Sequence, residues 1–500
     1  MLLPSSPFPF ILLAGLVSAA RFDIEGRRQH GRPLGKRAGI SSLSDLSNID
    51  YRTNITVAGQ SFSVIIDTGS SDLTVTADAL SGAVFAGKNA TLSFAGGAPD
   101  PGPIVLAPVE FLGYTIPQQA LVLVSPDADH SPGEGLIGLG PGSGSVILQT
   151  LLSNEAFTVL DNIFNQDTST GNYITFLLER LNDPTDVFPG QLTVGEVLTD
   201  FAAITSQPQL PMTTVSMSEA PNQHFQILLD EDGFIGPDGK AIPITSRVST
   251  SKNKAQATVI VDSGFSFPQI PASIAQAIYS QFGSDAELTT ISGQGDFWIV
   301  ACDREVNITL KFGGQLYPVH PLDTTMSDEA LGGDDTDPTL LKSGKVACLG
   351  PFQPFSFDAG PDPTYDIIFG MAFLRNVYVL INFGDFVAGS NSKADPYIQL
   401  LSITDLAQAH TDFVNERLNG TDTTVSLYGP SGALELVATQ NKNGTTGGTS
   451  RQTQIMIGLG VLDGVILLGL IVAIFACRKG RIAASPMAYR PLSLPAPGKA

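Results

Sequence analysis

Between about residues 45 and 405 the chain breaks into short runs of Val, Ile, Leu, Phe and Thr, separated by Gly, Pro, Asn and Asp. Runs of that length between turn residues predict β-strands, and few stretches hold the 3.6-residue period of a helix. The expected body is therefore all-β with few short helices. Two helices are predicted, at 145–153 and 271–282, the second from the start signals Pro271 and Ser273. The acidic stretch 323–345, with Gly332-Gly333-Asp334-Asp335, reads as a polar loop. From 406 to 454 the pattern turns polar and ends in a Gly/Thr/Asn-rich segment at 441–450, which predicts a flexible stalk.

Two apolar runs stand apart from this pattern. Residues 8–20 end in the small residues Ser18 and Ala20 and predict a signal peptide over 1–20. The 22 residues 455–476 are apolar apart from Asp463. At about 1.5 Å per residue they reach across a hydrocarbon core of about 30 Å, so a transmembrane helix is predicted over 455–477. Arg478, Lys479 and Arg481 follow directly and predict a cytoplasmic tail over 478–500, with the body on the other side. Cys477 at the inner boundary is a candidate for palmitoylation.

The segment 21–37 carries six basic and two acidic residues and closes on Lys36-Arg37, which predicts a pro-segment cut at a dibasic site. Five Asn-x-Ser/Thr sequons, at Asn54, Asn89, Asn307, Asn419 and Asn443, all fall on the predicted outer side. The expected product is a single-pass type I glycoprotein of the secretory pathway, at the cell surface or in an acidic compartment.

The most informative feature is a degenerate repeat. Val64-Ile65-Ile66-Asp67-Thr68-Gly69-Ser70-Ser71 is matched by Val259-Ile260-Val261-Asp262-Ser263-Gly264-Phe265-Ser266. Each copy is followed later by an apolar-apolar-Gly element, Leu136-Ile137-Gly138 in the first half and Ile367-Ile368-Phe369-Gly370 in the second. Two halves with the same order of elements predict two lobes, 38–200 and 201–405, related by an approximate two-fold axis.

Charge narrows the function. The net charge is −21, and both flanking segments are basic, so the body is more acidic still. Such a body repels nucleic acid and suits work at low pH, where carboxylates neutralise. The five histidines, His30, His130, His224, His320 and His410, have no ligand-like spacing, and Gly239-Lys240 and Gly344-Lys345 lack the rest of a phosphate loop. No metal or cofactor is expected. Of three cysteines, Cys302 and Cys348 lie in the body and are candidates for one disulfide in an oxidising compartment.

A strand that ends in Asp-(Thr/Ser)-Gly presents its carboxylate at a strand-to-loop junction, where Gly allows a sharp turn and a close neighbour. Two such loops meeting on a two-fold axis bring two carboxylates together. At about 3 Å they cannot both ionise and share a proton. One member then takes a proton from water while the other polarises a peptide carbonyl.

These residues resemble those of the pepsin-like aspartic protease family, in its membrane-tethered, fungal-type secreted form. The likeness covers about 45–405. It includes Tyr51, Gly59 and Phe62 before the first triplet, Glu134-Gly135-Leu136-Ile137-Gly138-Leu139, and Asp366 to Phe383. The resemblance implies a bilobal all-β fold, with Asp67 and Asp262 as the catalytic pair. It implies support from Thr68, Gly69, Ser70, Ser263 and Gly264, the hydroxyls of Thr68 and Ser263 interlocking beneath the pair. It further implies a disulfide between Cys302 and Cys348, peptide or protein substrates, and a monomer.

Three positions depart from the family. Thr74 stands where it usually has Trp, Phe94 where its flap carries Tyr, and Phe265 where a hydroxyl follows the second triplet. Phe94 can cover a substrate but donates no hydrogen bond, and Phe265 leaves Asp262 without the donor that Ser70 gives Asp67. The expected activity is an aspartic endopeptidase at acidic pH. A catalytically weak or inactive peptide-binding glycoprotein of the same fold is the alternative, with a non-catalytic wall or adhesion glycoprotein third.

Overall fold

The computed structural model of the protein describes residues 20–26, 51–94, 99–166, 171–180, 183–185, 190–291, 295–327, 339–390 and 393–424. In the first half the strands are Ala20–Gly26 (β1), Tyr51–Val57 (β2), Gln60–Asp67 (β3), Leu73–Thr76 (β4), Val84–Leu92 (β5), Asp100–Phe111 (β6), Tyr114–Val124 (β7), Glu134–Gly138 (β8), Tyr173–Leu177 (β9) and Gly190–Val194 (β10). Helices Val146–Leu151 (α1) and Val159–Gln166 (α2) lie between β8 and β9.

The second half has Leu210–Pro211 (β11), Gln226–Leu228 (β12), Phe234–Ile235 (β13), Thr258–Val261 (β14), Gln269–Ile270 (β15), Ala286–Ile291 (β16), Gly295–Ala301 (β17), Ile308–Phe312 (β18), Gln315–Val319 (β19), Ala347–Leu349 (β20), Gln353–Pro354 (β21), Ile367–Phe369 (β22), Val377–Asn382 (β23) and Tyr397–Ser402 (β24). Its helices are Ala272–Tyr279 (α3), Pro321–Thr324 (α4), Met371–Leu374 (α5) and Leu406–Leu418 (α6).

Alternation drives the first hairpin. In β2 the residues Tyr51, Thr53, Ile55 and Val57 are buried and those between them are not, the period-two pattern of a strand with one face on a core. Ala58 and Gly59 turn the chain with positive φ, 50° and 78°, as a two-residue hairpin loop requires. That turn sets the register Val57↔Gln60, and so places Phe62, Val64 and Ile66 against the same core.

The repeat in the sequence is a repeat in topology. In the first lobe β3 pairs in parallel with β8, and β8 pairs antiparallel with β4. In the second lobe β14 pairs in parallel with β22, and β22 pairs antiparallel with β15. The apolar-apolar-Gly elements are therefore the partners of the aspartate strands, aligned Ile65↔Leu136 and Asp67↔Gly138 in one lobe and Val259↔Ile367 and Val261↔Phe369 in the other. Their glycines leave room for the loop that passes over them: a Cβ on Gly138 would overlap the Ser71–Asp72 backbone, and one on Gly370 the carbonyl of Phe265.

The lobes are joined by sheet. β9 of the first half pairs with β23 of the second, which joins both halves in one 13-stranded sheet, ordered β11-β24-β23-β9-β10-β1-β2-β3-β8-β4-β7-β6-β5. The expected helices at 145–153 and 271–282 are present as α1 and α3. The Cys302–Cys348 disulfide closes the end of β17 onto β20. β1 straddles the predicted signal and pro-segment boundary and pairs with β10 and β2.

Two expectations need correction. The predicted stalk does not begin at 406, because residues 406–418 form α6. Asp405 caps it by accepting from the N–H groups of Ala407 and Gln408, and Ala409, Asp412, Phe413 and Val414 are buried against the body. The predicted polar loop likewise does not begin at Asp323, which lies in α4, 1% exposed and ringed by cations. Among the described residues no helix is long and apolar enough to cross a membrane. The predicted span 455–477, the tail 478–500, the stalk from 425 onward, Asn443 and the site at Lys36-Arg37 lie outside the described residues.

Candidate active site

Each aspartate sits where its strand ends. Asp67 closes β3 and Asp262 follows β14, and both are almost buried, at 6% and 7% exposure. Beneath them Thr68 and Ser263 interlock reciprocally. The Thr68 N–H donates to Ser263 Oγ (3.1 Å) and the Ser263 N–H donates to Thr68 Oγ1 (2.9 Å). Each hydroxyl then donates across the lobe boundary, Thr68 Oγ1 to the Val261 carbonyl and Ser263 Oγ to the Ile66 carbonyl, both at 2.9 Å. Four buried donors are thus satisfied by the opposite lobe, and the two loops cannot shift independently without orphaning one of them.

The glycines of the triplets bring the loops together. A Cβ on Gly69 would collide with the Asp262 carboxylate, and one on Gly264 with that of Asp67. With both positions bare, each loop packs its backbone against the other's carboxylate, which sets the two carboxyl groups close together.

The surroundings of the two carboxyls differ. Asp67 accepts from the Gly69 N–H (2.8 Å) and the Ser70 hydroxyl (2.5 Å). Asp262 accepts from the N–H groups of Gly264 (2.7 Å) and Phe265 and from no side-chain hydroxyl among the described residues. Burial pushes Asp262 well above the usual carboxylate range, the negative charge of Asp67 adds to this, and the two backbone donors oppose it. These surroundings favour the protonated form of Asp262, and the titration belongs to the pair.

The support extends outward from the pair. Ser71 Oγ donates to the Pro141 carbonyl, and Asp72 accepts from Ser145 Oγ and the Val146 N–H at the start of α1. Burial raises Asp72 to about 6 against these donors. Thr74, where the resemblance had led to Trp, is 1% exposed on β4 between β7 and β8. Phe94 follows β5 in the β5–β6 hairpin and packs against the cluster that includes Ala90, Leu92 and Ile104. Asn54, Asn89 and Asn419 are exposed, and Asn307 is half-buried. Among the described residues no group of three or more His, Cys, Asp or Glu is placed to hold a metal ion.

Two features escaped the sequence. His224, which had no role there, donates from Nδ1 to the Gly69 carbonyl at 3.0 Å. A buried ion cluster centred on Asp323 ties the lobes below the site, joining Arg180 from the segment after β9 to Arg375 after α5. The two guanidinium groups hold the Asp323 carboxyl well below its usual range despite its burial. Neither feature has a local signature, because each is assembled from residues more than 50 positions apart.

The comparisons agree with this geometry. The family model described as eukaryotic aspartyl protease matches residues 50–390. The chain is 24% identical to major aspartyl peptidase 1 of Cryptococcus neoformans over 405 residues, 74% of this chain and 76% of that one. It is 25% identical over 286 residues to a probable aspartic-type endopeptidase CTSD of Arthroderma benhamiae, a match that spans 56% of this chain and 45% of that one. The crystal structure of the aspartic proteinase from Irpex lacteus superposes with a TM-score of 0.51 at 19% identity, over 71% of this chain and 95% of that one, a likeness of fold. With the family model covering most of the body and both triplets meeting at the lobe boundary, the chain belongs to the eukaryotic aspartyl proteases.

Proposed function

We propose that this aspartic endopeptidase uses Asp67 and Asp262 as its catalytic pair, at acidic pH, on peptide or protein substrates. The observation that carries this reading is the close approach of two nearly buried carboxyls, each lying against the glycine of the other's loop. Asp67 takes a proton from a water lying between the pair as the water oxygen bonds to the scissile carbonyl carbon. Asp262 gives its proton to the carbonyl oxygen. The tetrahedral intermediate then collapses: one of its hydroxyls returns a proton to Asp262 as the C=O bond re-forms, the C–N bond breaks, and the leaving nitrogen takes the proton held by Asp67. No covalent enzyme intermediate is needed. As pH rises through the elevated pKa of Asp262, the proton donor is lost and the rate falls.

Cleavage of a mixed peptide library by the full-length protein in detergent, from pH 3 to 7, tests this. Pepstatin should block it, and Asp67→Asn should lower kcat by roughly 10²–10⁴-fold or more. A folded protein that binds pepstatin without cleaving any peptide would favour the peptide-binding alternative.

The same reading extends to placement. A single helix over 455–477 tethers the protein, the body faces away from the cytoplasm, and 478–500 lies within it. The support is the length of the apolar run, the cations after it and the confinement of the sequons to one side. In sealed vesicles an added protease should remove only an epitope at residue 500; protection of that epitope together with loss of the body would reverse the topology.

A further inference from the structure

His224 lies just before β12, on the second-lobe side of the boundary, and its position is fixed from both sides. Its neighbour Phe225 accepts from the Val261 N–H at 3.0 Å, one residue before Asp262. Its own ring bonds the carbonyl of Gly69, two residues after Asp67. A carbonyl oxygen only accepts, so Nδ1 carries the proton in either charge state of the ring. The ring stands edge-on to Tyr365, with centroids 6.2 Å apart and planes at 89°. From Tyr365 a chain of aromatic contacts runs through Phe355 and Phe357 to Phe265, with steps of 6.3, 5.5 and 6.2 Å. One aromatic ribbon of the second lobe thus braces both aspartate loops, at Gly69 through His224 and beside Asp262 through Phe265.

We propose that His224 is a positioning residue for the dyad: it reaches across the lobe boundary, holds the Gly69 carbonyl and fixes the backbone that presents Asp67 to Asp262. Gly69 is the point where a displacement matters most, because the Asp262 carboxylate already occupies the space a Cβ would need. Misplacing reacting groups by fractions of an ångström is costly in rate.

A second consequence is electrostatic. The groups that act on the ring are the Gly69 carbonyl and the charge of Asp67, with the Tyr365 ring edge-on to it from the segment before β22. Burial lowers the pKa of His224, while Asp67 opposes that shift. An imidazolium formed in acid would add a positive charge beside the pair that an uncharged replacement lacks.

The inference rests on the assignment of Asp67 and Asp262 as catalytic, which Asp67→Asn tests separately in the same assay. Two substitutions divide the roles of His224. His224→Gln retains an N–H that can donate to Gly69 but carries no charge, and His224→Phe retains neither. In the full-length protein, His224→Phe should lower plateau kcat by roughly tenfold while KM stays within about twofold. His224→Gln should keep kcat within about twofold of the parent. Both should move the acid limb of the kcat profile to higher pH. A His224→Phe enzyme with the parent's kcat and pH profile would overturn the inference. So would equal kcat losses in both variants accompanied by a lowered melting temperature, which would make the residue a structural contact between lobes.

Discussion

In the first lobe the loop after β3 gives Asp67 one backbone donor and one hydroxyl, from Gly69 and Ser70. In the second lobe the loop after β14 gives Asp262 two backbone donors and sets an aromatic ring where the hydroxyl would be. Below the carboxyls the two loops match closely, triplet against triplet and hydroxyl against carbonyl. Position and protonation are therefore controlled by different residues. The interlocked Thr68 and Ser263, with the bare glycines, bring the carboxyls together; the residue after each glycine sets how strongly each carboxyl's charged form is supported.

The symmetric half of this comparison is the more expensive to break. Thr68→Val would strand the Ser263 N–H, and Ser263→Ala the Thr68 N–H, each a buried donor worth about 1–3 kcal/mol when left unpaired. The two substitutions should destabilise the protein by similar amounts in thermal or denaturant unfolding. The double substitution should cost less than the sum, because the lattice is lost once. Strongly unequal costs would mean that the lobes do not share the load as the bond pattern indicates.

The asymmetric half should yield smaller and opposite effects. Phe265→Thr offers Asp262 a hydroxyl donor, which stabilises its charged form and lowers its elevated pKa. The proton donor is then lost sooner as pH rises, so the alkaline limb of the kcat profile should move to lower pH. Ser70→Ala takes a donor from Asp67 and should move the acid limb to higher pH. Each variant narrows the active range from a different side, and the limbs belong to the pair rather than to either residue. If both variants moved the same limb, or neither moved any, the fourth position would not be what separates the two carboxyls.

The parts of this site that were legible in the sequence are those where backbone crowding forces a residue type. Gly69, Gly264, Gly138 and Gly370 all sit where a Cβ has no room, so they recur at matched positions in both halves and make the repeat visible. His224 lies at the opposite extreme. A single histidine before a strand has no neighbour in the sequence that marks it, and its partner is 155 positions away. Asp323 was hidden for a related reason: it opens an acidic stretch, and only the fold brings Arg180 and Arg375 to it. α6 was missed because its buried face is short and includes Asp412, which accepts from Thr185 and Gln408. A polar letter in the sequence is there a packed residue in the structure.

α6 also has a mechanical consequence. Its last turn is pinned by Arg417, which reaches the Thr325 carbonyl and the sulfur of Cys348, and its middle by His410 against Glu305. Tension applied through the residues that follow Thr424 therefore meets this helix first and passes sideways into the disulfide-closed strands of the second lobe. β24, which belongs to the sheet shared by both lobes, is shielded from being peeled away, and with it the alignment of the two aspartates.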